Sequence, residues 1–143
     1  MEIRCLVYQA VAQRRRGDVE SVRSLDAEIA EFEESYGYSG LISANRAWLA
    51  WRDRDFEGTQ RWGNVALADW PADKRAGPTV FQWSARFPLF AVDVELDRLE
   101  SASEHARWML DDSQQPLPAD VRAALERQAF RDAVELARNY GLT

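Results

Sequence analysis

Apolar residues recur along this chain with the period of a helix in almost every stretch. Ile3, Leu6, Val7, Ala10 and Val11 follow the i, i+3, i+4, i+7 spacing that gathers side chains on one helix face. They predict a first helix from about Glu2 to Arg16. Gly17-Asp18 ends it, because glycine takes a left-handed cap and aspartate caps the helix that follows. Val22, Leu25, Ile29 and Phe32 repeat the spacing and predict a second helix from Val19 to about Tyr36, with Glu31, Glu33 and Glu34 outside. Gly37 and Gly40 bracket a turn. A third helix, about Leu41 to Arg54, carries Trp48 and Trp51. The turn Arg54-Asp55 leads into a fourth, Phe56 to Trp70, which Pro71 stops.

The stretch from Pro71 to Pro78 is rich in helix breakers and reads as a loop. A fifth helix is expected from about Val80 to Leu96. Pro88 sits inside it, and Leu89 to Leu96 also fits an alternating strand; the helical neighbours favour a helix kinked at the proline. A sixth helix covers about Leu99 to Asp111, followed by the polar turn Asp112-Ser113-Gln114-Gln115-Pro116. Pro118 then opens a last helix, where its missing N–H costs nothing. That helix is expected to run unbroken to about Asn139 and to end at Gly141.

Three of these turns share one plan. Arg16-Gly17-Asp18-Val19-Glu20, Arg54-Asp55-Phe56-Glu57 and Asp97-Arg98-Leu99-Glu100 each give a tight polar turn, an apolar residue and a glutamate opening the next helix. Val19, Phe56 and Leu99 are then equivalent, 37 and 43 residues apart. Tetratricopeptide (TPR) units run about 34 residues, and looser relatives somewhat longer. The expected fold is all-α: residues 1–143 form a single domain, a right-handed solenoid of about three antiparallel helical hairpins plus a C-terminal capping helix. Arg127-Gln128-Ala129-Phe130-Arg131 carries no break and is placed inside that capping helix.

Two tracts carry a family resemblance: Arg46-Ala47-Trp48-Leu49-Ala50-Trp51, and Phe87-Pro88-Leu89 through Glu104-His105-Ala106-Arg107 to Asp112-Ser113-Gln114-Gln115-Pro116-Leu117-Pro118. They resemble the TPR-like C-terminal region of large bacterial signalling proteins, multidomain ATPases coupled to cyclase or DNA-binding modules. The resemblance implies an interaction or sensing scaffold. The enzymatic parts of those proteins are not carried over, because no Gly-x-x-x-x-Gly-Lys run and no cyclase region is present.

Composition narrows the function classes. A chain of 143 residues buries enough surface to fold without a disulfide or metal. The net charge of −6 argues against general nucleic-acid binding, which needs a basic face. Arg14-Arg15-Arg16 is the sole basic run and reads as a solvated helix end that complements the helix dipole. Cys5 lies in the apolar stretch Ile3 to Val7 and reads as a buried structural thiol. No run approaches the ~20 apolar residues of a membrane span. The first residues lack a basic and then apolar leader, so the expected compartment is the cytoplasm.

No catalytic, cofactor-binding or metal-binding motif is read. His105 has only Cys5 as a soft-ligand companion, far away in sequence, and reads as a packed structural histidine. No Gly-x-Ser-x-Gly elbow exists. Asp111-Asp112 reads as a turn signal. Asp93, between Val92 and Val94, reads as the partner of Arg86 or Arg98, with a functional carboxylate as the lesser alternative. A cleft holding Asp93 and His105 together would revive an enzyme.

The aromatics carry the one positive functional signal. Trp48 and Trp51 share a face of the third helix; Trp83, Phe87, Phe90 and Val94 form a similar stripe on the fifth. In a TPR array the first helices of the pairs line the concave side. The candidate partner-binding residues are therefore Trp48, Trp51, Arg52, Trp83, Phe87 and Val94, with Arg46, Arg52 and Arg86 placed either to clamp a peptide carboxylate or to pair with nearby acids. The same aromatics also fit a plain inter-helix core. Trp62, Trp70 and Trp108 are assigned to packing. The leading expectation is a non-catalytic scaffold that binds a protein or peptide partner, or a second copy of itself. The alternative is a small-molecule sensor with a cavity bounded by Trp48, Trp51, Trp83 and Phe87.

Overall fold

The computed structural model describes residues 2–70 and 81–143. The expected breaker loop and the expected start of the fifth helix at Val80 lie outside the described residues. Those residues form eight helices and no strand: α1 (Ile3–Arg15), α2 (Val19–Ile29), α3 (Ser39–Arg52), α4 (Phe56–Asp69), α5 (Trp83–Glu95), α6 (Leu99–Met109), α7 (Ala119–Glu126) and α8 (Phe130–Arg138). No described helix is long and apolar enough to cross a membrane.

Consecutive helices pack as α1 on α2, α3 on α4, α5 on α6 and α7 on α8. One backbone device joins each couple. Gly17, Arg54, Asp97 and Gln128 all take a left-handed conformation, with φ of 75°, 59°, 55° and 61°. The next residue's N–H then reaches back five residues: Asp18 to the Gln13 carbonyl (3.0 Å), Asp55 to Ala50 (2.8 Å), Arg98 to Asp93 (2.7 Å) and Ala129 to Ala124 (2.9 Å). This is the Schellman closure, which satisfies carbonyls that a helix end leaves bare. Asp18 and Asp55 also cap the helix that follows, accepting from the N–H groups of Ser21 and Gly58.

The fourth closure corrects the expectation of one unbroken last helix. The chain breaks at Arg127 and restarts at Phe130, so Phe130, like Val19, Phe56 and Leu99, opens the helix that follows a left-handed turn. Gln128 carries no signature of a left-handed cap and Ala129 cannot cap, so nothing local announced the turn. The helix break lets α7 and α8 bury Val121, Leu125, Ala133 and Ala137 in one cluster, which a straight rod could not do. The expected reach of the second helix to Tyr36 is also too long. It ends at Ile29, and Phe32 turns back to pack on the cluster of Ile3, Leu41 and Ile42.

α5 is the most enclosed element. From Gln82 to Val94 only Arg86 escapes full burial. The helix passes through Pro88, so the strand alternative for Leu89 to Leu96 is set aside. The lost bond from Pro88 to the Ser84 carbonyl is one bond, while burial of α5 on both sides removes several large apolar side chains from water, each contributing roughly 1.5–3 kcal/mol. α4 approaches α5 closely at Gly63, where an added Cβ would lie 2.6 Å from Leu89 Cγ.

Two expectations about α1 are overturned. Its inward stripe is Ile3, Leu6, Val7, Ala10 and Arg14, and Cys5 falls off that stripe and is exposed. Arg14 is not a solvated helix end: it is fully buried, while Arg15 and Arg16 are exposed.

Candidate functional site

Arg14 lies between two of the predicted tryptophans, its guanidinium carbon 5.6 Å from the ring centre of Trp48 on α3 and 5.6 Å from that of Trp83 on α5. Its donors fan out to four acceptors. Nε donates to the Gly141 carbonyl (2.9 Å) and Nη2 to the Leu142 carbonyl (3.1 Å). Nη1 reaches the Ala44 carbonyl (3.4 Å) and Asn45 Oδ1 (3.3 Å). A buried guanidinium is tolerated when its donors are all used, and the planar fork suits several acceptors at once. Burial holds Arg14 well below the ordinary arginine range, and the charges of Arg52 and Arg15 push the same way.

The segment 141–143 is buried along this face. The Thr143 carbonyl accepts from Trp48 Nε1 (3.1 Å) and from Arg52 Nε (3.0 Å). Arg52 stacks over Trp48 at 4.7 Å. Its Nη2 is buried with no hydrogen-bond partner among the described residues, and its pKa is pushed down to about 10 by burial and then by Arg138. The Thr143 hydroxyl donates to the Val134 carbonyl (2.8 Å). All three carbonyls of Gly141-Leu142-Thr143 are thus held by side chains of α1 and α3.

The six predicted partner-binding residues separate into two groups. Trp48, Arg52 and Trp83 converge on Arg14 and on segment 141–143. Trp51 faces elsewhere, stacked on Phe56 at 5.6 Å and half-buried. Phe87 and Val94 belong to the core between α5, α6 and the last two helices, with Phe87 edge-on to Phe90 at 6.5 Å. Trp48, Trp83, Phe87 and Val94 are all covered. Arg46 pairs with Asp26 (2.9 Å) and stacks over Trp62 (5.0 Å). The sequence reading places Arg14 in a solvated basic run and Gly141 at a helix end, yet Arg14 sits seven residues after Val7 and four after Ala10, on the apolar stripe. That register was the available signal.

A cleft of about 340 Å³ opens beside the segment. Arg15, Trp83, Gln115, the Pro116-Leu117-Pro118 run and the Asn139-Tyr140 pair just beyond α8 line it together with Leu142. Gln115 Oε1 accepts from both Trp83 Nε1 (2.9 Å) and Arg15 Nη2 (3.2 Å), which fixes the Arg15 guanidinium over the indole at 4.9 Å.

Asp93 and His105 do come together, His105 Nε2 facing Asp93 Oδ2 at 3.6 Å. Arg86, not an ion partner of Asp93, lies 3.0 Å from His105 Nδ1 and stacks over Trp108 at 4.8 Å. Arginine only donates, so Nδ1 accepts and the ring proton sits on Nε2. Ser101 Oγ donates to Asp93 Oδ2 at 2.7 Å. A hydrolytic triad needs the serine to donate to histidine, with the carboxylate on the far nitrogen. Here the serine is bound to the carboxylate rather than to the histidine.

No known protein family, curated protein or solved structure matches the chain.

Proposed function

We propose that this chain is a TPR-like helical scaffold that binds an extended segment of a partner protein along the inner face of α1, α3 and α5. Four equivalent left-handed turns and the deep burial of α3 and α5 support the repeat reading, in which first helices of pairs line the inside. One observation carries the binding reading. Side chains 91 to 128 residues away from segment 141–143 hold its main-chain carbonyls rather than its side chains. Donors aimed at backbone acceptors bind an extended peptide whatever its sequence, while neighbouring pockets select side chains.

Capture from the native host tests the reading. The wild-type protein retains a discrete partner, and Arg52→Ala does not, while both keep the same far-UV helical spectrum. Equal capture by the two proteins, or none by either, removes the proposal. Size-exclusion with light scattering tells a foreign partner from a second copy.

The cleft favours a second reading, a small-molecule sensor. Of the residues once expected to bound a cavity, only Trp83 lines it. The fixed Arg15 guanidinium suits a carboxylate, and the Pro116-Leu117-Pro118 wall suits an apolar body.

A further inference from the structure

Gly141, Leu142 and Thr143 are held differently from the end of an ordinary helix. Two backbone bonds tie the segment to α8, Gly141 N–H to Arg138 (3.2 Å) and Leu142 N–H to Ala137 (3.0 Å), and the Thr143 hydroxyl adds a third, to Val134. Every other polar anchor comes from α1 and α3. Each position also has its own steric demand. Gly141 takes φ +68°, and an added Cβ would run into the Arg14 carbonyl and the Arg15 Cα. Leu142 joins the apolar cluster of Trp83, Val121 and Ala137, and Thr143 places its hydroxyl on the Val134 carbonyl. Removing the three residues would take away two of the four acceptors of Arg14 and the acceptor of the Trp48 indole N–H. What remains is a preformed set of donors between two tryptophans, with Arg52 Nη2 already short of a partner.

We infer that the inner face takes a partner segment of small–aliphatic–hydroxyl order, and that Gly141-Leu142-Thr143 is its resident occupant, which must leave before the partner enters. The inference rests on the scaffold reading above and adds to it the partner's chemistry and a gate. A closed site binds more weakly than an open one by the fraction of molecules that are open.

Gly141→Ala opens the site without altering a groove side chain. The probe is a fluorescein-labelled, end-capped peptide of the sequence Asn-Tyr-Gly-Leu-Thr, followed by anisotropy. Gly141→Ala binds it about tenfold or more tightly than the wild type, since its open fraction is larger. Adding Arg52→Ala abolishes that gain, and a peptide with valine in place of glycine does not bind. A second variant, deletion of residues 141–143, behaves as Gly141→Ala does. A folded Gly141→Ala or deletion protein that ignores the peptide overturns the inference, as does equal binding of the valine peptide. Loss of the helical spectrum in both variants also overturns it, since the segment is then core. If the open variants ignore the peptide yet still capture a partner through Arg52, the scaffold reading stands and the resident-occupant inference falls.

Discussion

The guanidinium of Arg14 donates to the carbonyl of Gly141 at 2.9 Å, tying the end of α1 to the end of α8 across 127 residues. Replacing Arg14 sets two effects against each other. A hydrophobic side chain avoids burying a charge, and such swaps are sometimes neutral. Methionine, however, leaves the Gly141 and Leu142 carbonyls buried and unpaired, and each orphan costs about 1–3 kcal/mol. The orphans win, so Arg14→Met lowers the unfolding free energy by roughly 2–4 kcal/mol, read from the urea midpoint. Arg14→Lys recovers little, because one ammonium cannot span acceptors in three directions.

Gln128 is exposed and sits at φ 61°. A left-handed conformation costs a side-chain-bearing residue roughly 1–2 kcal/mol, and glycine escapes that cost at some loss of chain entropy. Gln128→Gly is expected to stabilise the protein by up to about 1 kcal/mol, raising Tm by roughly 2–4 °C in calorimetry. Ala129→Asp, which supplies the cap that Asp18 and Asp55 supply in the first two turns, is expected to add about 0.5–1 kcal/mol. A fall in Tm for both variants would show that the fourth turn is not equivalent to the first two.

His105 titrates at about 4 in the folded chain, below its ordinary 6.5, because burial and then the Arg86 charge oppose the imidazolium. As pH falls, the unfolded chain therefore takes the proton first. Stability is level above pH 6.5 and is lost from there down to about 4. Asp93 runs the other way: burial raises its pKa above 3.8, so the folded chain binds that proton more readily and offsets part of the loss at the acidic end. Urea midpoints at about pH 7 and about pH 4.5 show the effect, and His105→Gln flattens it. An unchanged slope in that variant would assign the loss to other groups.

At Gly63 the Leu89 side chain of α5 lies against the α4 backbone too closely to leave room for a Cβ. Leu89, which an added methyl would strike, is itself buried and cannot swing into solvent. Gly63→Ala should cost about 1–3 kcal/mol despite the better helix propensity of alanine, because overpacking outweighs a propensity gain of about 1 kcal/mol. Chemical denaturation of the single variant settles the sign.

The helices were legible where apolar period and cap chemistry agreed. Gly17-Asp18 and Arg54-Asp55 put a cap residue beside a break in the pattern, and both turns fall where expected. At Gln128-Ala129 neither residue prefers a turn, and the left-handed backbone is held by the packing of α7 on α8. Of the six residues read as one binding stripe, Trp48, Arg52 and Trp83 meet around Arg14 and segment 141–143 while Trp51, Phe87 and Val94 pack elsewhere, because an aromatic stripe has the same spacing in a core as in a groove. Arg14 was not legible, because a charged side chain in a basic run reads as solvent-facing even on an apolar stripe. For segment 141–143 the local signal went no further than Gly141 as a helix end, since the side chains that hold its carbonyls sit 91 or more residues upstream.

An array of helical units that touch only their neighbours can fray from either end, one unit at a time. The junction of Arg14 with Gly141 and Leu142 removes that freedom. The Arg14 guanidinium lacks two of its four acceptors until residues 141 and 142 have been synthesised and docked. Contacts this distant in sequence slow the final folding step while leaving early helix formation fast. They also make the two ends melt together, so unfolding is expected to be all-or-none, and a nascent chain lacking residues 141–143 to remain partly open on the ribosome.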